Sequence, residues 1–563
     1  MKRFSKVLVS GTVLATLALT SCGGSTTEEP AAEEPAAEEP AEEVTEEPAE
    51  EEATTGGEIS GEELVQNANA RKAIAMGFDK EYIVNDIMAN GSIAADYFVP
   101  QNFLLNPDGG DWRDGASDYL VYDVTAAQEY WALAKEELGF DTVEVELLNY
   151  DSDSSKKIGE FMKSELEQNL EGLTFTLKPV PFQQKLELGR GGDFQLNFAG
   201  WAPDYLDATT FLDMWLTGGS YNDAGYVNST YDELVTGDYE TEQERYEAHV
   251  EAERILLEED AVMAPVYQRS GVLLQRPEVS GIITHTFGAD YSYNWVELDR
   301  EDKVLHLLET SKAPTLDTNL VTDAVSFNVL NGIGEGLVSL GQEGSNVIPA
   351  IAESWDESED GLTYTFHLRQ DATFVDYQGN VVGNVTAQSF VDSWARLEDE
   401  SMSATYGYLV RDTAHIDTYT AVDDYTLEVT LTEETPWFLS LMSFGTFQPI
   451  HKESVDSFGD AYGTTLETTI STGPFYLTTW NFNERVVMSK NPHYYGADEV
   501  KIDGVDFRVI EGVENDTSVG MYFNGELDRV GLSGENVTTY QDHDDVQVVE
   551  EPTIFYLLFR VNE

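Results

Sequence analysis

One aromatic-rich segment has the residue types that best suit ligand binding. Residues 194–205 read FQLNFAGWAPDY, in which a strand pattern leads into Gly200. The missing side chain of Gly200 would let another backbone approach, and Asp204 then lies between Trp201 and Tyr205. A carboxylate held between two aromatic rings could receive the cationic end of a ligand. Taken alone, the residues favour the alternative, a buried turn capped by Asp204 with both rings in the core.

Motifs for catalysis or metal binding are mostly missing. The sequence has no HExxH, P-loop or GxSxG pattern, and its eight histidines are dispersed without a pair at metal-ligand spacing. Residues 332–336 (GIGEG) lack the context of a dinucleotide site, which favours helix packing or a turn. Residues 151–155 (DSDSS) begin like a calcium loop, but its twelfth position is Met162, where a bidentate Glu is needed. We therefore predict no enzyme activity, no metal and no cofactor.

The N-terminal residues 1–22 are typical of an export signal. A basic start (MKR) precedes residues 7–19, which are mostly apolar and much shorter than the roughly 20 residues that span a bilayer. Small residues before Cys22 resemble the lipobox of bacterial lipoproteins, which implies that Cys22 is lipidated and begins the mature protein. The alternative is an ordinary secretory signal with an incidental thiol.

Residues 23–61 are predicted to be a disordered acidic tether. Glu, Pro and Ala dominate, and 14 Glu but no Lys or Arg lie between Glu28 and Glu58. Such a composition cannot bury a core, and repulsion between the charges with stiffening by proline should keep the segment extended.

Composition excludes some classes of partner for the rest of the chain. Of 563 residues, 31 are Lys or Arg and 105 are Asp or Glu, a formal charge of −74, while 41% are hydrophobic. This indicates a globular protein of two to four domains that would repel nucleic acid. Its single cysteine excludes a framework of disulfides.

The elements that must position the aromatic segment alternate between helices and strands, which indicates an α/β architecture with two sizeable lobes. In the first half we predict helices over residues 69–88, 125–138, 158–170 and 245–258, and strands over residues 143–148, 173–180 and 194–199. In the second half we predict strands over residues 303–308, 363–368, 427–431, 486–489 and 505–509, and helices over residues 387–397 and 437–442.

Longer strings of residues resemble the family 5 extracellular solute-binding proteins, the oligopeptide and dipeptide receptors of ABC importers. The resemblance covers nearly all of residues 64–563 and implies a two-lobed, type II periplasmic-binding-protein fold. The strings that resemble the family's early half are Leu316-Asp317, Glu335–Leu337, Ala352–Trp355, Leu362–Arg369, Val385–Phe390, Thr472–Tyr476, Asn483–Arg485 and Lys490–Tyr495; those of its later half are Asn69–Ile74, Asp79-Lys80, Gly200–Tyr205 and Pro265–Tyr267.

The order of the halves is reversed relative to the family, as in a circular permutation. The later half occupies residues 62 to about 298 and the early half residues 303–563, so we expect a peptide-binding lobe over residues 62–270 and a second lobe over residues 271–563. The C-terminal strand would then normally continue into the helix of Arg71. The alternative is a fusion of two truncated genes during sequence assembly.

The resemblance also assigns roles within the aromatic segment. It implies that Asp204 pairs with the α-ammonium of a peptide beside Trp201 and Tyr205, and that the backbones of Gly200 and Ala202 bond to the extended ligand. One departure is Phe198, at a position where some oligopeptide receptors have an arginine near the peptide carboxylate. This leaves the ligand's length and its free C-terminus open.

We therefore predict a monomeric, lipid-anchored receptor on the outer face of the bacterial cytoplasmic membrane that delivers peptides to an ABC permease. One alternative is a receptor for a non-peptide solute such as an oligosaccharide, because aromatic clefts also stack sugar rings. Others are a surface hydrolase, which would turn over a bound peptide, and an adhesin, which no small solute would stabilise.

Replacing Cys22 tests the anchor. We expect a Cys22→Ala protein to be lost from the membrane fraction, because the short apolar run cannot hold the chain in a bilayer without the lipid. Fractionation of cells that express both forms measures this, and continued partition of the variant with membranes would contradict the assignment.

Overall fold

The computed structural model describes residues 57–342 and 344–562. The predicted signal, its lipidation residue Cys22 and the predicted tether up to residue 56 lie outside the described residues. The folded body begins before the predicted boundary at residue 62. Gly57–Ile59 pairs as an edge strand with residues 140–143, and a helix starts at Gly61 behind the N-cap Ser60.

The strands follow the chain from an early edge to a long final strand. Those of the described residues are β1 Gly57–Ile59, β2 Ile93–Ala94, β3 Phe140–Tyr150, β4 Leu173–Val180, β5 Leu196–Trp201, β6 Met263–Gln275, β7 Val279–Ser280, β8 Ile283–Thr284, β9 Tyr291–Ser292, β10 Glu297–Leu298, β11 Val304–Glu309, β12 Val338–Leu340, β13 Val347–Pro349, β14 Ala352–Glu357, β15 Thr363–Leu368, β16 Thr373–Val375, β17 Val381–Asn384, β18 Ile416–Asp423, β19 Thr426–Leu431, β20 Phe475–Asn481, β21 Arg485–Lys490, β22 Gly504–Val509, β23 Arg529–Leu532 and β24 Val546–Phe559.

Helices alternate with these strands. The α-helices of the described residues are α1 Gly61–Gln66, α2 Ala68–Met76, α3 Lys80–Tyr82, α4 Val124–Leu138, α5 Asp153–Asn169, α6 Phe182–Arg190, α7 Thr209–Leu212, α8 Ser229–Thr236, α9 Glu242–Arg254, α10 Ala324–Ile333, α11 Ala387–Leu397, α12 Phe438–Leu441, α13 Lys452–Phe458, α14 Asn515–Asn524 and α15 Glu535–Tyr540. Two π-helical turns cover Ile83–Met88 and Ile255–Glu259. Within the described ranges, no helix combines the length and apolar character that crossing a membrane requires.

The largest sheet joins the first half of the chain to its last strand. Its order is β1-β3-β5-β24-β6-β2, with β4 beside β3 and β23 beside β6. Strands β1, β4 and β5 run parallel to β3, whereas β24 runs antiparallel to both β5 and β6. The helices between the parallel strands make the crossovers that such pairing requires. The α/β prediction is confirmed.

Local signals explain how these crossover helices begin and end. The Asp123 side chain accepts hydrogen bonds at the start of α4, which ends at Gly139 in the left-handed region (φ 70°). The segment that begins like a calcium loop, residues 151–155, instead forms the start of α5. Its N-cap is Ser152, whose Oγ accepts a hydrogen bond from the Ser155 amide. The predicted helix over residues 69–88 is interrupted after α2, because Asp79 accepts amide hydrogen bonds that start α3.

The second half contains two four-stranded sheets. One has the order β11-β22-β21-β20 and the other β14-β15-β19-β18. The strands predicted over residues 363–368 and the helix predicted over residues 387–397 match β15 and α11 residue for residue. Shorter paired strands complete this half, namely β7 with β10, β8 with β9, β12 with β13 and β16 with β17.

Two long strands, β6 and β24, run from one hydrophobic core into another. Near one end, Ile554–Leu558 of β24 pairs with β6 and lies in the large core. Toward the other end, Val546 and Leu274 pack in a smaller core with α14, β23 and α15. The ladder is irregular between residues 550 and 554, where Pro552 has no amide hydrogen to donate. The predicted lobe boundary at residues 270 and 271 falls inside β6.

A pair of substitutions in β24 tests how far the sheet depends on this strand. Leu557 is fully buried between β5 and β6, whereas Val548 of the same strand is 65% exposed. We expect Leu557→Ala to lower the free energy of unfolding by about 2–5 kcal/mol, because it leaves a cavity in the core. The matched Val548→Ala should change it by no more than about 0.5 kcal/mol. Urea denaturation of both variants measures the difference, and equal effects would contradict a central role for the strand.

Candidate functional site

A cavity of about 540 Å³ lies beside the end of β5. Its walls come from the large sheet and from the second half of the chain, so it lies between the two predicted lobes. The first half contributes Tyr150, Lys185, Asn197, Trp201 and Asp204, and the second half contributes Asp323, Phe327 and Tyr406. Strand β24 adds Phe555, Tyr556 and Leu558.

Asp204 is buried in the wall of this cavity and has no cationic partner among the described residues. Its backbone amide donates to Thr210 Oγ1 at 2.9 Å, which fixes the turn after β5. Burial raises the pKa of the Asp204 carboxyl well above its usual range; a hydrogen bond with Tyr406 opposes this shift, and the charge of Asp213 adds to it. The site therefore holds a carboxyl that an incoming cation would stabilise in its charged form.

Aromatic rings surround this carboxyl. Trp201 is half-buried, and its Nε1 donates to the Thr210 carbonyl oxygen at 2.8 Å. Its ring centroid lies 4.9 Å from that of Tyr221, which lies 5.1 Å from Tyr406. The three rings form an aromatic wall beside the Asp204 carboxyl, which strengthens its interaction with any charge that enters.

Tyr205, predicted to contact the ligand, is not among the residues that line the cavity. The side chain is buried in the core, and its hydroxyl bonds with Asp213 Oδ2 at 2.8 Å and Thr209 Oγ1 at 3.0 Å. Burial raises the pKa of Asp213 to about 7. The structure thus places Tyr205 behind the site, where it contacts a second buried carboxyl instead of the ligand space.

Gly200 and Ala202 both line the cavity, but the space beside Gly200 is taken by a side chain. A Cβ atom at Gly200 would come within 2.9 Å of the Phe555 ring of β24.

Strand β5 has one edge paired with β24, and on the opposite edge it pairs with β3 only at Leu196 and Asn197. Within the described part of the chain, the later residues of β5 have no strand partner on that edge, so their backbone groups could pair with an extended ligand.

The sequence analysis missed the basic residues of the cavity. Lys185 and Arg190 of α6 and Arg269 of β6 all line it. Arg190 lies 4.3 Å from the Tyr221 ring, and Arg269 forms an ion pair with Glu551 at the irregular part of β24. A helical pattern could have found Lys185, because it shares the buried face of α6 with Gly189, four residues later.

The site has no feature of a metal centre. In the part of the chain that the structure describes, no group of three His, Cys, Asp or Glu side chains is placed to hold a metal ion. The cavity instead contains buried charged side chains, aromatic rings and an unpaired strand edge. These are the features of a binding site for a small polar ligand.

Comparison with known families agrees with this geometry. The sequence model of bacterial extracellular solute-binding proteins, family 5 middle, matches residues 29–223 and 346–563, about three quarters of the chain. The chain belongs to this family of extracellular solute-binding proteins. The predicted family and its two-lobed binding-protein fold are confirmed.

Individual relatives each match part of the chain. The dipeptide-binding protein DppE of Bacillus subtilis is 31% identical over 273 residues, 46% of this chain and 49% of that protein. The periplasmic oligopeptide-binding protein OppA of Salmonella typhimurium is 32% identical over 232 residues, 39% of this chain and 41% of that one. The chain spans about half the length of the curated relatives it matches.

Among solved structures, OppA of Listeria monocytogenes bound to peptide is 31% identical, with a TM-score of 0.41. The match covers 44% of this chain and 50% of that one.

The raised pKa of Asp204 predicts a pH-dependent stability difference. The stability that this carboxyl contributes is fully present below its unfolded pKa of about 3.9 and is lost as pH rises toward the folded value. Ligand-free Asp204→Asn protein should therefore gain stability over wild type as pH rises from about 5 to 8, by about 1–2 kcal/mol. Thermal denaturation across this range measures the gain. The exposed Asp86→Asn is the control, and a parallel pH profile for all three proteins would contradict the assignment.

Proposed function

We propose that this protein is an extracellular receptor that captures peptides in the cavity beside β5 and delivers them to an ABC importer. The observation that carries the proposal is the buried carboxyl of Asp204, which faces a cavity without a cationic partner among the described residues. Leaving a charged carboxylate buried and unpaired is costly, so a ligand with an ammonium group gains affinity by supplying the missing charge.

A peptide also fits the open edge of β5. Main-chain hydrogen bonds to Gly200 and Ala202 would hold an extended ligand whatever its side chains, with its α-ammonium at Asp204. Aromatic walls would suit sugar rings as well, but a neutral oligosaccharide brings no cation to the buried carboxyl. The charge of the site therefore favours a peptide over the oligosaccharide alternative.

The family and the N-terminal sequence support the proposed delivery route. DppE and OppA are named as a dipeptide-binding and an oligopeptide-binding protein. By this likeness the chain would act outside the cytoplasm and pass its ligand to a permease, as a binding protein without enzyme activity. Lipidation at Cys22 would hold it on the membrane surface, and the acidic tether would let it reach the permease as a monomer.

We also propose that the two halves of the family fold are permuted in this chain. DppE and the Salmonella typhimurium OppA each match less than half of this chain and less than half of themselves, as a colinear alignment of reversed halves would give. The C-terminal end of β24 and the start of α2 meet at one segment: Phe559 N donates to the Val262 carbonyl oxygen at 3.1 Å, and Arg71 Nε donates to that of Ala261 at 3.0 Å. In the unpermuted order, the end of β24 could therefore continue into α2 with little rearrangement of either element.

Isothermal titration calorimetry with matched peptides tests the ammonium site. We expect Asp204→Asn to weaken the binding of a peptide with a free amino terminus by about 3–5 kcal/mol, because one partner of a buried charged pair is removed. N-acetylation of the peptide should cost wild-type protein a similar amount and cost the variant little.

The control variant is Asp151→Asn, which removes a carboxylate from the same cavity wall and should leave the preference for a free amino terminus unchanged. Equal affinity of the wild-type protein for free and N-acetylated peptides would overturn the assignment of Asp204.

A further inference from the structure

A second cavity, of about 930 Å³, lies between the two halves of the chain. The first half contributes wall residues between 209 and 245, and the second half contributes wall residues between 408 and 437. Met214 and Tyr221 line both this second cavity and the cavity beside β5, so they form part of the partition between the two. Asp204 lines only the cavity beside β5. The second cavity has the size of a small-molecule site, which is about 300–1,000 Å³.

Asp213 is a buried carboxyl in the wall of the second cavity, with 9% of its surface exposed. Its Oδ2 accepts hydrogen bonds from the Tyr205 hydroxyl at 2.8 Å and from Thr413 Oγ1 at 3.5 Å. Both donors are neutral, and Asp213 forms no ion pair with another described residue. A carboxylate offers about four acceptor positions, so Asp213 keeps capacity for a cation that enters the cavity.

The basic side chains of the second cavity are already paired with acids. The three pairs are Arg245 with Asp207, Arg411 with Glu398, and His415 with Glu433. Arg245 binds both carboxylate oxygens of Asp207, at 2.6 and 2.9 Å, and its guanidinium lies 4.4 Å from the centre of the Trp437 ring. The positive charges of the wall are therefore held elsewhere, and Asp213 keeps its charge uncompensated.

Further carboxylates lie at the exposed edge of the second cavity, on both halves of the chain. Those that form no ion pair within the described ranges are Asp238, Glu240, Glu242, Asp412 and Glu434. Where the structure describes the chain, no three His, Cys, Asp or Glu side chains converge closely enough to hold a metal ion. Carboxylates spread from a buried position to the edge suit an elongated cation better than a single ion. The rings of Tyr408 and Trp437 also line the space, and aromatic faces attract organic cations.

We propose that the second cavity binds an organic molecule that has two or more ammonium groups on a flexible chain. One ammonium donates hydrogen bonds to Asp213, another lies among the carboxylates of the edge, and the methylene groups between them pack against the aromatic rings. This site goes beyond the proposed function, because it does not use Asp204. The ammonium groups belong either to a free polyamine or to the lysine side chains of a peptide.

Calorimetric titration of the full-length protein with amines tests the site. Spermine, putrescine and the monoamine butylamine are compared at about 0.15 M salt, where charges more than about 8 Å apart on the surface are largely screened. We expect one spermine per chain, bound about tenfold more tightly than butylamine, because only spermine reaches both sets of carboxylates. Asp213→Asn should weaken spermine binding about a hundredfold, since it removes one partner of a buried charged pair.

Two double variants separate the site from the general attraction of an acidic protein for polyamines. Asp238→Asn with Glu240→Gln removes two carboxylates from the edge of the second cavity and should weaken spermine binding about threefold. Asp141→Asn with Glu144→Gln makes the same change of charge at exposed positions of β3 and should leave the affinity unchanged. Equal weakening by the two double variants would overturn the proposal.

The remaining outcomes distinguish the sources of the ammonium groups and keep this proposal separate from the proposed function. Binding of an N-acetylated, C-terminally amidated oligolysine without binding of spermine identifies a peptide as the source, and the reverse identifies a free polyamine. Loss of spermine binding in Asp204→Asn but not in Asp213→Asn would place the amines in the cavity beside β5 and overturn the second site alone. Binding of neither probe would also overturn it and leave the peptide titrations as the test of the proposed function. Should Asp213→Asn fail to fold, the preference for spermine over butylamine and the two double variants decide.

Discussion

The pairing of β24 between β5 and β6 is the interaction on which the rest of this structure depends. The last strand of the chain lies at the centre of the largest sheet, where Leu557 lies opposite both Phe198 and Ala264. Without it, β5 and β6 would face each other as two unpaired edges. The same strand supplies part of the cavity wall beside β5, so the fold and the candidate binding site share one element.

Charge is the second constraint, because this acidic chain places both acidic and basic side chains in the cavity wall. Asp204 and Lys185 both line it, and each lacks a partner of opposite charge among the described residues. Arg269, by contrast, has its counterion in Glu551, where the ladder of β24 is irregular. Burial disfavours the charged form of each unpaired group, so it raises the pKa of Asp204 and lowers that of Lys185.

The two predicted lobes meet through this cavity and through the β6–β24 ribbon. Contacts such as Arg190 with Thr405 and Arg245 with the Trp437 ring also join the two halves of the chain. Ligand groups that touch both walls would add to these contacts.

The sequence by itself determined many of the elements and the family. Period-2 and period-3.6 patterns placed β15 and α11 correctly, and the strings around Asp204 indicated the family, because these signals are local and depend on neighbouring residues. Only the tertiary structure decided which residues meet across the chain. The tertiary structure buries Tyr205 in the core, places the Phe555 ring beside Gly200, and places Lys185 in the wall of the cavity. The physical reason is that burial depends on how the whole chain packs, including contacts such as that of Gly200 with Phe555, where no local pattern fixes the distance between the residues.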